Sequence, residues 1–269
     1  MSLRFDGTKA MREAQRVSTA DDKKRGRQEY SCVDSDLDDF DDGSWRETAY
    51  INTFHHVIDD YNSIKDYVEI VLEKKRGKAV GIDFGGLGIN VFKGFTPGFF
   101  EKSIGVSLSD HRTNNGRLYR IDKKIYDDGR EHKIIIGNIF DTKVYKKIDK
   151  ILQGKKVDFI VERMYAGLQN VPENLMVVMA TLQRWYGLLD DGGIMLVELP
   201  SFVAPIMKRW LELLNKDNKV EVAFDKFRLA LRINKLPGAP KQLPKLELKE
   251  IKKIFQEYNR HLDEYIQRN

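Results

Sequence analysis

The sequence predicts an α/β fold in which a doubly wound, mostly parallel sheet ends in an antiparallel hairpin. Short apolar runs alternate with amphipathic segments from about residue 50 onward, which is typical of repeated strand–helix–strand units. The run AVGIDF at 79–84 is almost continuously apolar, as expected of a strand buried on both faces. Residues 219–235 instead contain two alternating segments around a short connection, which predicts a hairpin.

Hydrophobic periodicity predicts the remaining helices and strands along the chain. Apolar side chains three and four residues apart over 53–74 predict one amphipathic helix before the first strand. Later runs predict strands over 103–109, 132–140, 157–165 and 192–199, and helices over 142–153 and 173–189. Pro97 lies between two glycines, so the first crossover helix is expected to be short or broken. A linker rich in proline and glycine at 236–244 precedes a predicted helix over 245–268.

These elements divide the chain into three predicted regions. Residues 1–49 are polar, uneven in charge and without apolar periodicity, which predicts an arm or lid with little core of its own. Residues 50–235 form the predicted α/β domain, and residues 236–269 form the linker and terminal helix. The aspartate run at 34–42 lacks the turn glycine and closing glutamate of an EF-hand loop. Histidine and cysteine positions show no metal-ligand spacing, so no metal site is expected.

Composition limits the class of protein. The chain is 41% hydrophobic and 32% charged, and no run approaches the roughly 18 apolar residues of a membrane span. A net charge of +5, from 46 basic and 41 acidic residues, permits an anionic partner without indicating one. The single Cys32 cannot form an intramolecular disulfide, and the first residues lack a secretory h-region, so a cytoplasmic location is expected. The oligomeric state is left open.

The most specific pattern lies at the predicted strand ends. The strand at 79–84 continues into DFGGLG at 83–88, and LLDDGGIMLVELP at 188–200 leads into the fifth strand. Together with IGVSLSD, IIIGNIFD, VDFIVERM and the terminal hairpin, this order resembles the class I S-adenosylmethionine-dependent methyltransferase family over about residues 50–235. The resemblance implies a Rossmann-like sheet of seven strands, with the hairpin that distinguishes this fold from NAD-binding Rossmann domains.

The resemblance also implies S-adenosylmethionine as the cofactor and a donor site beside the first strand. Gly85, Gly86 and Gly88 would let the backbone approach the donor without a Cβ collision. Asp83 would meet the donor's ammonium group, directly or through water. The glycines depart from the family pattern, because Gly-Gly-Leu-Gly is one residue out of register with Gly-x-Gly-x-Gly.

Two further strand ends complete the implied donor site. Asn138 would pair its amide with the adenine edge, and Ile139 or Phe140 would flank the ring. An acidic group after the second strand is expected to accept from the ribose hydroxyls. Ser107 stands where that acid normally lies, and Asp110 follows three residues later.

Candidate catalytic groups lie at the end of the fourth predicted strand. Glu162 and Tyr165 occupy positions where family members place substrate-facing groups. Glu162 is a candidate base or a group that orients a substrate nitrogen. The alternative for Glu162 is an ion pair with Arg163 or a lysine on the rim. Glu198, at the end of the fifth strand, is a second candidate with a structural role as its alternative.

These observations favour methyl transfer to a small-molecule acceptor. One alternative is a binding protein with the same fold and a lapsed donor site, which the displaced glycines and Ser107 favour. Another is methylation of RNA or protein, but the sequence has no aromatic-interleaved basic stripe of the kind that single-stranded nucleic acid favours. NAD-dependent oxidoreduction is the least favoured, because the glycines do not fit G-x-G-x-x-G.

Overall fold

A computed structural model describes residues 53–59, 61–107, 131–162 and 174–268. The α-helices of this part of the chain are α1 (Ile64–Val71), α2 (Ile89–Lys93), α3 (Thr142–Leu152), α4 (Leu175–Leu188), α5 (Ala204–Leu214) and α6 (Leu248–Arg268). The strands are β1 (Ala79–Phe84), β2 (Phe100–Ser107), β3 (Glu131–Ile136), β4 (Val157–Glu162), β5 (Leu189–Glu198), β6 (Val220–Asp225) and β7 (Ala230–Lys235). None of the described helices is long and apolar enough to cross a membrane.

The strands form one seven-stranded sheet in the order β3-β2-β1-β4-β5-β7-β6. Strands β1 to β5 pair in parallel, and β7 runs antiparallel to both β5 and β6. The predicted fold class, a doubly wound sheet with a terminal antiparallel hairpin, is therefore confirmed. The strand order reverses direction between β1 and β4, and sheets of this kind bind ligands at the carboxyl ends of the strands beside such a switch point.

Two apolar layers cover the sheet, because successive β1 side chains point to opposite faces. Val80, Ile82 and Phe84 belong to the cluster that α3, α4 and α5 complete, with Trp185 stacked on Phe84. The other face is covered by the segment before β1 and by α2, and its cluster includes several phenylalanines: Phe54, Phe92, Phe95, Phe99, Phe100 and Phe159. Both faces are thus closed, which leaves the strand ends as the polar rims of the sheet.

The helix expected over 53–74 is wrong as a single element. A 3-10 turn at His55–Val57 and another at Glu73–Lys75 flank the shorter α1. Ser63 caps α1, since its Oγ accepts a hydrogen bond from the N–H of Asp66 at 2.9 Å, and serine is a preferred N-cap residue. The first crossover helix, α2, has only five residues, as Pro97 predicted. Helix α5 was not predicted, although Pro205 lies in its first turn, where proline is favoured.

Other boundaries follow the expected elements closely. β1 has the predicted bounds, and α3 and α4 lie within the predicted helical ranges. β3 ends at Ile136, before the predicted end at 140. The expected ends of the second and fourth strands, at 109 and 165, lie outside the described residues, as does the predicted arm at 1–49. The division of the chain into three regions stays a prediction.

At the amino ends of the strands, the buried Asp158 and the half-exposed Asp190 share a charged partner, Lys75. Asp158 accepts a hydrogen bond from the N–H of Val80 at 2.8 Å, and its other oxygen lies 3.2 Å from Lys75 Nζ. The same Lys75 ammonium donates to Asp190 at 2.6 Å. This lysine therefore joins the start of β4 to the start of β5.

β7 carries buried polar side chains that tie the hairpin to α1. Tyr67 and Asn234 exchange hydrogen bonds of 2.9 and 2.8 Å. Arg232 pairs with Asp59 and lies over the ring of Tyr67. Burial raises the pKa of the Tyr67 hydroxyl, and Arg232 and Asn234 partly offset that rise. These contacts hold the terminal hairpin in place against the rest of the domain.

Candidate functional site

The candidate site lies where β1 and β4 end at the switch point of the sheet. Phe84, the last residue of β1, is in register with Val106 of β2 and Glu162 of β4. Residues 85–88, here named the glycine loop, leave the sheet directly after Phe84 and lead into α2. The chain therefore places its glycine-rich turn between two parallel strand ends.

The glycine loop has a backbone that other residues rarely adopt. Gly85 and Gly88 have φ angles of 103° and 73°, in the region that glycine enters at little cost. The N–H of Gly85 donates to Val106 at 2.8 Å, and that of Gly88 donates to Asp83 Oδ2 at 3.1 Å. In the described part of the chain, the N–H groups of Gly86 and Leu87 make no hydrogen bond. These two donors lie on a loop that is only partly covered.

Asp83 lies beneath the glycine loop and is only 3% exposed. Burial raises the pKa of its carboxyl to about 7, and the hydrogen bond from Gly88 opposes that rise. A Cβ on Gly86 would lie 2.3 Å from Asp83 Oδ2, so position 86 has to be glycine for the carboxylate to stay where it is. No basic side chain of the described residues forms an ion pair with Asp83.

The middle of β2 supports the glycine loop from below. A Cβ on Gly105 would lie 1.9 Å from the carbonyl oxygen of Leu87, so the loop rests directly on the backbone of β2. His132 Nε2 lies 2.9 Å from the same Leu87 oxygen, and its Nδ1 lies 2.7 Å from Ser103 Oγ. Because a carbonyl oxygen only accepts, Nε2 must carry the proton and donate it.

His132 is a positioning residue that sequence reasoning missed. The sequence shows it as an isolated histidine at the start of β3, with no partner at a recognisable spacing. A glycine inside a strand signals close backbone approach, and Gly105 carries that signal. Only the register, which places His132 beside Ser103 in β2, shows which side chain holds the loop.

The predicted donor-site residues Asn138 and Ile139 follow the end of β3, next to Ser107, which stands where the ribose acid was expected. Ser107 is 1% exposed, and its hydroxyl makes no hydrogen bond to the described residues. Its carbonyl accepts from the N–H of Gly137 at 2.8 Å, which brings Asn138 next to the end of β2. Asn138 Oδ1 accepts from the N–H of Phe140 at 2.9 Å, so its amide oxygen shapes its own turn. Ile139 is 4% exposed, and its carbonyl accepts from Tyr145 at 2.8 Å.

The candidate catalytic residues are only partly described. Glu162 is fully buried, and its register partners are Phe84 and Val197. Asp83 is one register position earlier in β1 than Phe84, so Glu162 and Asp83 belong to opposite faces of the sheet. Glu198 is 7% exposed at the end of β5. Tyr165 and Asp110 lie outside the described residues.

Comparisons with known proteins add similarity at the level of the fold. No protein-family model matches the chain, and no curated protein matches it. An O-methyltransferase from Bacillus cereus, solved in complex with SAH, aligns at a TM-score of 0.38 and 14% identity, covering 70% of this chain and 86% of that one. An rRNA methylase from Streptococcus thermophilus aligns at a TM-score of 0.39 and 10% identity, covering 65% of this chain and 99% of that one. Because both TM-scores are below 0.5, the fold assignment rests on the strand order and orientation.

Proposed function

We propose that this chain is an S-adenosylmethionine-dependent methyltransferase whose donor site surrounds the glycine loop. One observation carries the proposal: the glycine loop, whose Gly86 and Leu87 N–H groups make no hydrogen bond to the described residues, adjoins the buried carboxylate of Asp83 at the switch point of a seven-stranded sheet. An amino-acid tail carries an ammonium and a carboxylate group. A carboxylate beside unused N–H groups is complementary to both.

The other residues of this rim fit the remaining parts of the donor. Ser107 has a buried hydroxyl with no hydrogen bond in the described part of the chain, and a serine hydroxyl both donates to and accepts from a ribose hydroxyl. Asn138 and Ile139 line the next strand end, where the adenine would lie. Asp110 stays a predicted ribose acceptor. When bound, the donor supplies an electrophilic methyl group on a sulfonium.

The role of the protein in such a reaction is orientation and exclusion of water. Methyl transfer is an in-line displacement, so holding the acceptor at the correct angle accounts for much of the acceleration. Glu162, which is fully buried at the end of β4, is the proposed group that orients the acceptor or removes its proton. Tyr165 is proposed to face the same acceptor. A cytoplasmic location and a small-molecule acceptor stay predictions from the sequence.

A second candidate function is binding without catalysis. The contacts of Gly86 with Asp83 and of Gly105 with Leu87 explain why glycine occupies these positions without any ligand. These contacts therefore favour a protein in which the glycine loop serves packing and the donor is no longer bound. A direct measurement of donor binding separates the two candidates.

Calorimetric titration of the full chain with S-adenosylhomocysteine tests the proposed function. We expect saturable binding at micromolar concentrations, which the variant Gly86→Ala weakens at least about tenfold because its Cβ displaces the Asp83 carboxylate. Gly187→Ala in α4 is the matched control, since a Cβ there meets no atom within 4 Å, and it should bind as the wild type does. Absence of heat at millimolar ligand, from a protein that melts cooperatively, would show a lapsed site.

A further inference from the structure

The connection between β6 and β7 presents an aromatic side chain to solvent between two cations. Residues 226–229, here named the hairpin tip, have the sequence Lys-Phe-Arg-Leu. Phe227 is 85% exposed, more than any other large hydrophobic side chain in the described part of the chain. Lys226 and Arg228 are also exposed, and Lys226 Nζ lies 4.8 Å from the centroid of the Phe227 ring. An aromatic ring so far from the core contributes little to folding.

The hairpin tip is held in one conformation. The buried Asp225 accepts hydrogen bonds from the N–H groups of Phe227 and Arg228, at 2.8 and 3.4 Å. Leu229 has a φ of 55°, which costs a residue with a Cβ about 1 kcal/mol. Its carbonyl accepts from the N–H of Leu199 at 2.8 Å. These hydrogen bonds fix both ends of the turn, and the left-handed residue closes it as in other short hairpin loops.

The hairpin tip lies on the same rim as the candidate site. Ala230, the first residue of β7, is in register with Glu198 at the end of β5. Val197 of β5 is in register with Glu162, which in turn is in register with Phe84. Neighbouring strands are about 4.8 Å apart, so β7 lies about 14 Å from β1 along the rim. An acceptor held at the tip would extend across the ends of β5 and β4 toward the glycine loop.

We propose that the hairpin tip docks a single-stranded nucleic acid, so that the acceptor of the proposed reaction is a nucleotide of that strand. Phe227 stacks on one base, and Lys226 and Arg228 contact the adjoining phosphates. This inference rests on the proposed function and replaces the small-molecule acceptor that the sequence favoured. An exposed ring flanked by cations is the local form of the stacking platforms that such proteins use.

The charge and exposure of the hairpin tip favour single-stranded nucleic acid over a small molecule or a membrane surface as its ligand. Small-molecule sites are concave and enclose most of the ligand surface, whereas Phe227 projects into solvent. Binding to a membrane surface uses a broad apolar face with several large side chains, and the hairpin tip exposes one. The two exposed cations complement the phosphates of a polyanion, whereas a neutral acceptor offers them no partner.

Fluorescence anisotropy with a labelled 20-nucleotide single-stranded RNA tests the contribution of the ring. We expect Phe227→Ala to weaken binding about tenfold, the loss typical of one stacked base, and Phe227→Trp to retain binding. The matched control is Tyr258→Ala, which removes another exposed aromatic side chain, on α6, and should leave the affinity unchanged. Thermal unfolding of each variant verifies that the hairpin remains folded.

The salt dependence of the same binding tests the contribution of the cations. For single strands, each neutralised phosphate adds about −0.7 to the slope of log K against log salt, so Lys226→Ala/Arg228→Ala should reduce the slope by about 1.4. Lys74→Ala/Lys78→Ala makes the same change of charge at exposed positions near the amino end of β1 and should leave the slope unaltered. Phe227→Ala should lower the affinity at every salt concentration without changing the slope.

Three results would overturn the inference. The first is equal RNA affinity of the Phe227→Ala and Tyr258→Ala variants. The second is no RNA binding by a chain that binds S-adenosylhomocysteine, which leaves the proposed function standing and removes only the nucleic-acid acceptor. The third is sedimentation with phosphatidylglycerol vesicles that depends on Phe227 in the absence of RNA binding, which assigns the tip to a membrane surface. RNA binding that depends on Phe227 without any S-adenosylhomocysteine binding supports the docking surface and contradicts the methyl-transfer proposal.

Discussion

Buried carboxylates have different partners at the two rims of the sheet. At the amino ends of the strands, Asp158 receives a backbone N–H and the Lys75 ammonium, and that ammonium also pairs with Asp190. At the carboxyl ends, Asp83 is at least as deeply buried and, from the residues that the structure describes, receives one backbone N–H, that of Gly88. Burial raises the pKa of both aspartates, and among the described residues only Asp158 has a cation that opposes the rise.

This difference separates structural charges from candidate functional ones. A buried charge without a cation destabilises the folded state, so a fold retains it most readily where a ligand compensates it. The proposed donor carries an ammonium group that would do so at Asp83. At the amino rim, Asp158 and Asp190 need no such ligand, because Lys75 supplies the positive charge for both carboxylates.

The largest expected effect comes from Gly105→Ala, which inserts a methyl group between β2 and the glycine loop. Its Cβ would meet the backbone of Leu87 at 1.9 Å, and because neither strand nor loop can yield without other contacts breaking, we expect a loss of about 3 kcal/mol in unfolding free energy. Urea denaturation measures this loss. Gly187→Ala, inside a helix with free space around it, should instead stabilise the protein by up to about 1 kcal/mol. Equal stabilities of the two variants would contradict the described contact between loop and strand.

A smaller effect is expected from the ionisation of Asp83. Burial raises the pKa of its carboxyl from the ordinary value of 3.8 to about 7 in the folded protein, so the folded state binds the proton more tightly. Stability contributed by the protonated form is therefore lost as pH rises, by about 2 kcal/mol between pH 5 and 7. The decline levels off above about pH 8, where Asp83 is ionised in both the folded and the unfolded state.

Urea denaturation at several pH values measures the Asp83 effect by comparison with Asp83→Asn, which cannot ionise. The variant should lack the decline between pH 5 and 7. Asp141→Asn is the control, since asparagine caps α3 as well as aspartate does. Parallel curves for wild type and Asp83→Asn would show that Asp83 is already compensated in the free protein. Under the proposed function, S-adenosylhomocysteine should also bind more weakly below pH 7, where Asp83 takes up its proton.

The smallest expected effect comes from Lys75→Met at the amino rim. Methionine keeps most of the apolar stem but leaves Asp158 without its cation, so we expect a loss of about 1 kcal/mol at neutral pH. The loss should shrink at acid pH, where Asp158, whose pKa is raised by burial, takes up its proton. Lys74→Met, at the neighbouring exposed position, should change stability by less than about 0.5 kcal/mol. Equal stabilities of the two variants would show that Lys75 does not compensate the charge of Asp158.

Much of the fold could be predicted because the pattern of apolar residues is local. The run at 79–84 and the alternating segments of the hairpin identify β1, β6 and β7 without knowledge of their neighbours. The helix over 53–74 was misjudged because Ser63 interrupts a continuous apolar period with a new cap. Capping depends on one hydrogen bond, which periodicity does not detect.

The candidate site could be predicted only in part. The glycines and Asp83 are neighbours in the sequence, so their motif is visible there. His132 and Gly105 act on the glycine loop from two other strands, and nothing in their local sequence specifies which strand lies beside β1. The exposure of Phe227 was likewise not predicted, because its position beside the short connection of the hairpin does not show from the sequence whether the ring is buried.

The sequence by itself determined the alternation of strands and helices, the closing hairpin and the position of the glycine loop, because each depends on residues within a few positions of one another. Only the tertiary structure decided that β2 and β4 flank β1, that Asp83 is buried beneath the glycine loop, and that Phe227 stands on the same rim as that loop. These features depend on pairing between segments far apart in the chain, and that pairing is selected by the packing of the whole sheet.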